Sequence, residues 1–319
     1  MKSEKNSIFG YKSEKSIKMY NRVLKWFLQF PLFVLILFII VYPLYVSVLK
    51  NKPLPFNNPW LFMILYPILI AVSDFIATVV HELGHVFFGI LAKKKFYSIT
   101  FLAFTIEYSS KTKKFSYYHD NKRLIRDKLV AVGSAAMIPN NIKYSPFKDI
   151  IYYLGGAIFN LLAWFLLFIF HGNSVLSLMM LYSGISTLIP FRYASTTGGA
   201  DGYYVISTLF SVEVRKIYEM QYESAKYLFS DIKLSSAEIF KVSEFLTNSP
   251  YLNNKFLAYF LLASFYIDNK DYAKATEHIN KMKKMKGTLL NGETFWYDED
   301  EVKRLEDKIL CENHQLSRK

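Results

Sequence analysis

The sequence predicts a mainly α-helical, polytopic membrane protein with a small β-hairpin or sheet in its middle and a soluble helical domain at its end. Three observations carry this prediction. Long uncharged runs recur through the first two thirds of the chain, basic blocks flank them, and from Val212 onward the residues turn charged and periodic. Of the 319 residues, 52% are hydrophobic and 18% aromatic, above the globular norm.

The first element is a basic N-terminus over 1–25, with seven Lys or Arg against Glu4 and Glu14. Trp26 to Leu49 is uncharged for 24 residues. At ~1.5 Å per residue that crosses a hydrocarbon core of ~30 Å. This run is full spanning length and no small-residue cleavage site follows, so it reads as an anchor rather than a cleaved signal. A Pro/Asn loop leads to the second span, 60–92, which is apolar apart from Asp74, His81, Glu82 and His85. Its length implies tilt, a bend at Pro67, or extension beyond the lipid. Lys93-Lys94-Lys95 ends it.

Phe96 to Tyr118 is rich in aromatic and β-branched residues with a polar break at 109–114, which predicts the hairpin or sheet. Its apolar character predicts that it lies against the membrane-embedded part. The segment 120–150 is basic and mixed. Further spans follow at 151–170 and 174–190, separated by a turn at His171-Gly172-Asn173, and 203–211 reads as a partial span or interfacial helix. The domains are therefore the N-terminus (1–25), a membrane-embedded domain (26–211) and a cytoplasmic helical domain (212–319). In the last, Ser235-Ser-Ala-Glu238 is a capping-box signature. Phe256 to Tyr266 and Tyr272 to Met285 form a helical hairpin whose aromatic and small-residue spacing is tetratricopeptide-like, and a final helix covers 299–311.

The net charge of +13 is not spread like that of a nucleic-acid binder. The second basic block, Lys93 to Ile150, holds twelve basic and four acidic residues, and no recognition module accompanies it. Both blocks fit the positive-inside rule, with both termini cytoplasmic and the lipid bilayer as partner. The lone Cys311 excludes an internal disulfide and fits a reducing compartment. With the N-terminus inside, the second span ends inside, the third starts inside and the fourth returns. His81, His85, Gly156, Asn160 and Asp201 then share one depth near the cytoplasmic interface.

Ionisable groups inside a span are expensive and mark function. His81-Glu82-Leu83-Gly84-His85 puts two imidazoles at i and i+4 on one helix face, the reach needed to hold one zinc ion, with Glu82 beside them as a base. A catalytic zinc takes three protein ligands and keeps one position open. Asp201, between Gly198-Gly199 and Gly202, is the candidate third ligand, although an Asp-Gly pair is also an ordinary turn. Glu107, 22 residues after His85, is the rival. Asp74 and Thr78 share the His81 face, but Asp74 is ~10 Å along the axis, too far for the same ion. It suits a water-lined passage, a bundle partner or a structural hydrogen bond. His119, His171, His278 and His314 lack ligand spacing and read as surface residues.

These residues resemble the site-2 protease family of intramembrane zinc metalloproteases. That family carries HExxH in one span, a Gly-Pro-x-x-Asn element at the start of a later one, and Asn-x-x-Pro with Asp-Gly further on. Here they read His81-Glu-Leu-Gly-His85, Gly156-Ala-Ile-Phe-Asn160, and Thr187-Leu-Ile-Pro190 with Asp201-Gly202. Ala157 stands for the Pro and Thr187 for the Asn, and the loop from Pro190 to Asp201 is longer than typical. The resemblance covers about 60–211. It implies that His81, His85 and Asp201 bind zinc, that Glu82 is the general base, and that Asn160, Gly156, Thr187 and Pro190 position substrate. It implies a multi-pass protein of the bacterial plasma membrane that cuts a membrane-associated or transmembrane protein or peptide precursor. The helical tail is a candidate docking site for a cytosolic protein. One rival is an inactive relative serving as chaperone, immunity or docking factor, in which an intact Glu82 has no purpose. Another is a protease of soluble peptides acting at the membrane surface.

Overall fold

A computed structural model describes residues 59–316, apart from 102–103, 110–112, 120–132, 141–142, 173, 192–199, 230–231, 286–288, 291–292 and 295–298. The expected N-terminus and the span at 26–49 lie outside the described residues. What is described is mainly helical, with a four-stranded antiparallel sheet and a short two-stranded ladder.

Helix α1 (Pro59–Leu91) opens on Pro59 and carries Pro67 in its early turns. Its buried residues are mostly small or polar and recur at helical spacing: Tyr66, Ser73, Ala77, His81, Glu82, Gly84, His85 and Gly89. Its exposed ones include Ile64, Ile68, Val72, Leu83, Phe87 and Ile90. Lys93 closes the helix with a left-handed φ of 61°, and the Lys94 N–H reaches the Gly89 carbonyl at 2.9 Å. That is a Schellman ending, here on a non-glycine residue.

The sheet follows at once: β1 (Lys95–Phe101), β2 (Phe104–Ser109), β3 (Lys114–His119) and β4 (Gly133–Ile138), in the order β3-β2-β1-β4. The expected hairpin or small sheet over 96–118 is present, with the run 96–108 divided into two strands that pair Phe101 with Phe104. The basic and mixed segment 120–150 adds a fourth strand, as β4 docks on β1 with Ile99 opposite Ala135. One sheet face gathers Phe101, Phe104, Ile106, Phe115 and Tyr117, of which the last four are exposed. The Phe101 ring meets Phe75 of α1 edge-on at 6.5 Å. Phe75 lies about 24 Å before the end of α1 by helical rise, so the hairpin tip runs back along that helix.

Helix α2 (Pro146–His171) starts behind Ser145 with Pro at its first turn and stops at Gly172, φ 65°. Helix α3 (Val175–Thr187) is capped by Ser174, whose side chain accepts from the Ser177 N–H. At 13 residues α3 runs ~20 Å, shorter than the span expected over 174–190. Helix α4 (Asp201–Phe210) begins on Asp201 itself. Among the described residues, two helices are long and apolar enough to cross a membrane, Ile64–Leu91 within α1 and Pro146–His171.

The C-terminal helices are α5 (Val212–Phe229), α6 (Ser236–Thr247), α7 (Leu252–Asp268), α8 (Tyr272–Met285) and α9 (Glu299–Leu316), with a two-residue ladder β5 (Leu289–Leu290) and β6 (Glu293–Thr294) before the last. The capping box forms as its sequence indicates: the Glu238 N–H donates to Ser235 Oγ, and the Ser235 N–H donates to the Glu238 carboxylate at 2.8 Å. Ile239, Leu246 and Leu261 pack one core cluster, and Ile267, Ile279 and Met282 another.

Candidate metal centre

Helices α1 and α2 cross at a pair of glycines. A Cβ on Gly84 would strike the Gly155 carbonyl, and one on Gly155 would strike the Gly84 carbonyl. No other residue type lets the two backbones approach this closely. Gly156, the next residue, has a different task. A side chain there would occupy the space of the His81 imidazole. Gly155 thus sets the helix crossing, while Gly156 makes room for the ring.

His85 is oriented by α2. Its Nδ1–H donates to the Tyr152 backbone carbonyl at 2.9 Å. That bond makes Nδ1 the protonated nitrogen and leaves the Nε2 lone pair facing inward. The His85 Nε2 then sits 3.1 Å from the His81 Nε2. The two rings meet edge to face with centroids 4.7 Å apart. Both histidines are 6% exposed. His81 Nδ1 is buried with no hydrogen-bond partner among the described residues, so its ring is held by packing on Gly156.

Asp201 arrives from α4. Its Oδ2 lies 2.9 Å from the His81 Nε2 and 3.3 Å from the His85 Nε2. Two contacts set its position. A Cβ on Gly202 would collide with the Leu188 carbonyl, so the start of α4 packs hard against the end of α3. Tyr204 stacks flat on Tyr153 of α2, with centroids 4.2 Å apart. The Ala200 N–H also donates to the Phe191 carbonyl at 2.9 Å, which ties the entry to α4 to the backbone after α3.

The three donors fit one divalent ion. Nitrogen and oxygen ligands at ~2.0–2.1 Å in a tetrahedron are ~3.3 Å apart, close to the three separations found here. A neutral imidazole pair and a carboxylate suit zinc and other borderline first-row metals. These three residues are the one group of His, Cys, Asp and Glu with metal-binding geometry among the described residues. Glu82 is buried beside them at 6% exposure, and its carboxylate accepts from the Ala135 backbone N–H of β4. The Tyr152 hydroxyl donates to the Ala135 carbonyl at 2.8 Å. One residue of β4 is therefore pinned to both helices of the centre.

The other expected site residues lie around this group rather than in it. Asn160 is fully buried one turn beyond Gly156 and donates to Ser183 Oγ at 2.8 Å, with its Oδ1 lacking a partner among the described residues. Thr187 bonds back to the Ser183 carbonyl at 3.0 Å, within its own helix. Pro190 lies in the short link between α3 and the loop that leads to Asp201. Glu107 sits on β2 between Ser98 and Ser116 and is not part of the His81, His85 and Asp201 group. Thr78 donates to the backbone carbonyl of Asp74 at 3.0 Å, an ordinary helical back-bond. His119 packs on Phe104, and His278 is partly buried and stacked on Tyr266 rather than lying at the surface.

Four contributors escaped the sequence reading: Gly84, Tyr152, the Tyr153–Tyr204 stack and β4. The spacing of Gly84 against Gly155-Gly156 was a usable signal for helix contact. Tyr152 acts through its backbone carbonyl, which no side-chain pattern advertises. A buried ion pair was also missed: Lys94 Nζ lies 2.6 Å from Asp149 Oδ1 and 4.3 Å above the Tyr152 ring. It joins the end of α1 to the start of α2 beneath the centre.

No family model matches the chain, and no curated protein or solved structure matches it.

Proposed function

We propose that this protein is an intramembrane zinc metalloprotease of the site-2 protease type, acting on a membrane-associated or transmembrane polypeptide. The observation that carries the reading is the convergence of His81, His85 and Asp201 from two separate helices, with the Glu82 carboxylate buried beside them. A binding-only site has no use for that carboxylate. His81, His85 and Asp201 would hold the zinc, which would supply Lewis acidity toward the attacking water and the scissile carbonyl. Glu82 takes the proton of that water and later returns it to the leaving amine. Tyr152 keeps His85 in the tautomer that presents Nε2. Burial of the group keeps bulk water out.

Membrane residence is supported by the two apolar helices and by their inverted burial, small and polar inside, Leu, Ile and Phe outside. The exposed aromatic face of the sheet and the Phe101–Phe75 contact support a hairpin that enters the apolar layer beside α1. The charge pattern supports an N-terminus and a tail on the cytoplasmic side of a multi-pass protein. The hairpin α7–α8 supports a tetratricopeptide-like tail that docks a cytosolic partner or substrate.

The test is Glu82→Gln. The variant should keep its zinc, measured by metal analysis of chelator-free protein in detergent. It should lose peptide-bond cleavage, and membranes carrying it should accumulate an uncut precursor visible by proteomics. Zinc-free wild-type protein, or unchanged cleavage by the variant, overturns the reading.

A further inference from the structure

The three lysines that close α1 do not share one environment. Lys93 and Lys95 are exposed, whereas the Lys94 side chain is only 9% exposed. The left-handed turn at Lys93 accounts for the difference: it sends the chain back, and the Lys94 N–H closes on the Gly89 carbonyl. Lys94 Nζ then meets Asp149 Oδ1 at 2.6 Å, and the Asp149 side chain is likewise 9% exposed. Replacing a buried ion pair by an apolar pair of the same volume often costs no stability. What this pair supplies is position.

Helices α1 and α2 already meet at Gly84 and Gly155. One close approach fixes a point and leaves the helices free to swivel about it. Asp149 lies ~9 Å from Gly155 along α2 by helical rise, so the ion pair is a second point of attachment. Two points remove the swivel. His85 lies between Gly84 and Lys94 in the chain, and Tyr152 lies between Asp149 and Gly155. The 2.9 Å bond from His85 Nδ1–H to the Tyr152 carbonyl therefore falls within the clamped stretch.

Lys94 also bears on Tyr152 directly. Its ammonium lies 4.3 Å from the centre of the ring, over its face, an attraction that strengthens away from water. The ring is confined elsewhere too: its hydroxyl donates to the Ala135 carbonyl at 2.8 Å, and a Cβ on Gly89 would meet its Cδ2 at 3.3 Å. The Ala135 N–H in turn donates to Glu82. Tyr152 thus serves His85 through its carbonyl and Glu82 through β4, and the Lys94–Asp149 pair holds Tyr152.

We propose that Lys94 and Asp149 are positioning residues of the metal centre: acting through Tyr152, they set the His85 imidazole and so tune how tightly the centre holds its ion. The proposal rests on the metal-binding part of the proposed function, and its test needs no substrate. Full-length protein in detergent is stripped of metal and titrated with Zn2+ against a chromophoric chelator. A second titration uses Co2+, whose visible absorption reports ligand geometry. Lys94→Met/Asp149→Leu removes both charges together, so no lone charge is left buried. It should lose about 10-fold in Zn2+ affinity, the lower end of the ~10–100-fold cost of losing an outer-shell partner. Its Co2+ band should shift or weaken, while helix content by circular dichroism stays at the wild-type level. Lys94→Arg keeps a cation over the ring and a partner for the carboxylate, and should restore wild-type affinity. Asp149→Asn keeps the shape of the contact and should weaken Zn2+ binding by a smaller factor; it decides the matter where the double variant does not fold. Unchanged affinity and spectrum in these charge-removing variants, or a Lys94→Arg protein as weak as the double variant, overturns the proposal and leaves the metal centre standing. Wild-type protein that takes up neither ion overturns both.

Discussion

The two halves of this molecule bury opposite kinds of residue. In α1 and α2 the interior holds Ser73, His81, Glu82, His85, Gly155, Gly156 and Asn160, while Ile68, Phe87, Leu166 and Ile169 face outward. In α6–α9 the interior holds Ile239, Leu246, Leu261, Ile267, Ile279 and Met282, while Lys and Glu face outward. The second pattern is the hydrophobic effect at work in water. The first is the pattern expected under the proposed membrane reading: apolar side chains gain nothing by hiding from lipid, so close packing and polar contacts decide what meets inside. The difference teaches that the centre is held by backbone approach at glycines rather than by a greasy core. Mutations should therefore fail differently in the two halves.

The largest effect is expected at Asp201. Asp201→Ala removes a donor without touching either helix crossing, and metal affinity should fall by more than the ~10–100-fold typical of losing an outer-shell partner. Metal analysis after dialysis measures it, and full zinc retention would break the polar-interior account. Next is Leu261→Ala, fully buried between α6 and α7. It should destabilise the tail by about 2–5 kcal/mol in denaturant unfolding while leaving metal content unchanged. Loss of metal there would mean that the halves are one cooperative unit.

Tyr152→Phe is subtler, because the backbone carbonyl that orients His85 stays. Only the hydroxyl bond to Ala135 goes, leaving a part-buried carbonyl short of a partner at a cost of about 1 kcal/mol. Zinc content should hold while turnover falls about 3- to 30-fold, since β4 no longer steadies Glu82; equal turnover would show that β4 needs no such anchor.

The smallest effect concerns pH. His278 packs against Tyr259 and Tyr266, and burial, with Lys281 nearby, holds its pKa below the ordinary value against an opposing Glu277. The unfolded chain therefore takes up this proton first. Tail stability is unaffected well above ~6.5 and declines as pH falls from there toward the lower folded value. The unfolding midpoint should drop more between pH 7.5 and 5.5 in wild type than in His278→Gln; parallel slopes would exclude this histidine.

Much of the architecture was legible because it rests on local pattern. The apolar run of α1, the spacing of His81 and His85, the Ser235 capping box and the hairpin of α7 and α8 all came from periodicity and end signals. Asp201 was found because glycine beside a carboxylate hints at close backbone approach, and Gly202 against Leu188 is that approach. What failed was non-local. The run 96–108, of uniformly high strand propensity, is divided into two strands that pair Phe101 with Phe104. β4 is Gly-Ser-Ala-Ala-Met-Ile, with weak strand propensity, and it pairs only because β1 is there to receive it. The 174–190 run is apolar enough to span, yet its helix stops at Thr187.

By itself the sequence singled out the His81 and His85 pair and most of the helical stretches, since ligand spacing and apolar periodicity are properties of a single segment. Only the tertiary structure decided that Asp201 and not Glu107 completes the group, that Gly155 and Gly156 serve different ends, and that a backbone carbonyl and one residue of β4 steady His85 and Glu82. Those are contacts between segments far apart in the chain, and their selection depends on how closely backbones meet, which no single stretch encodes.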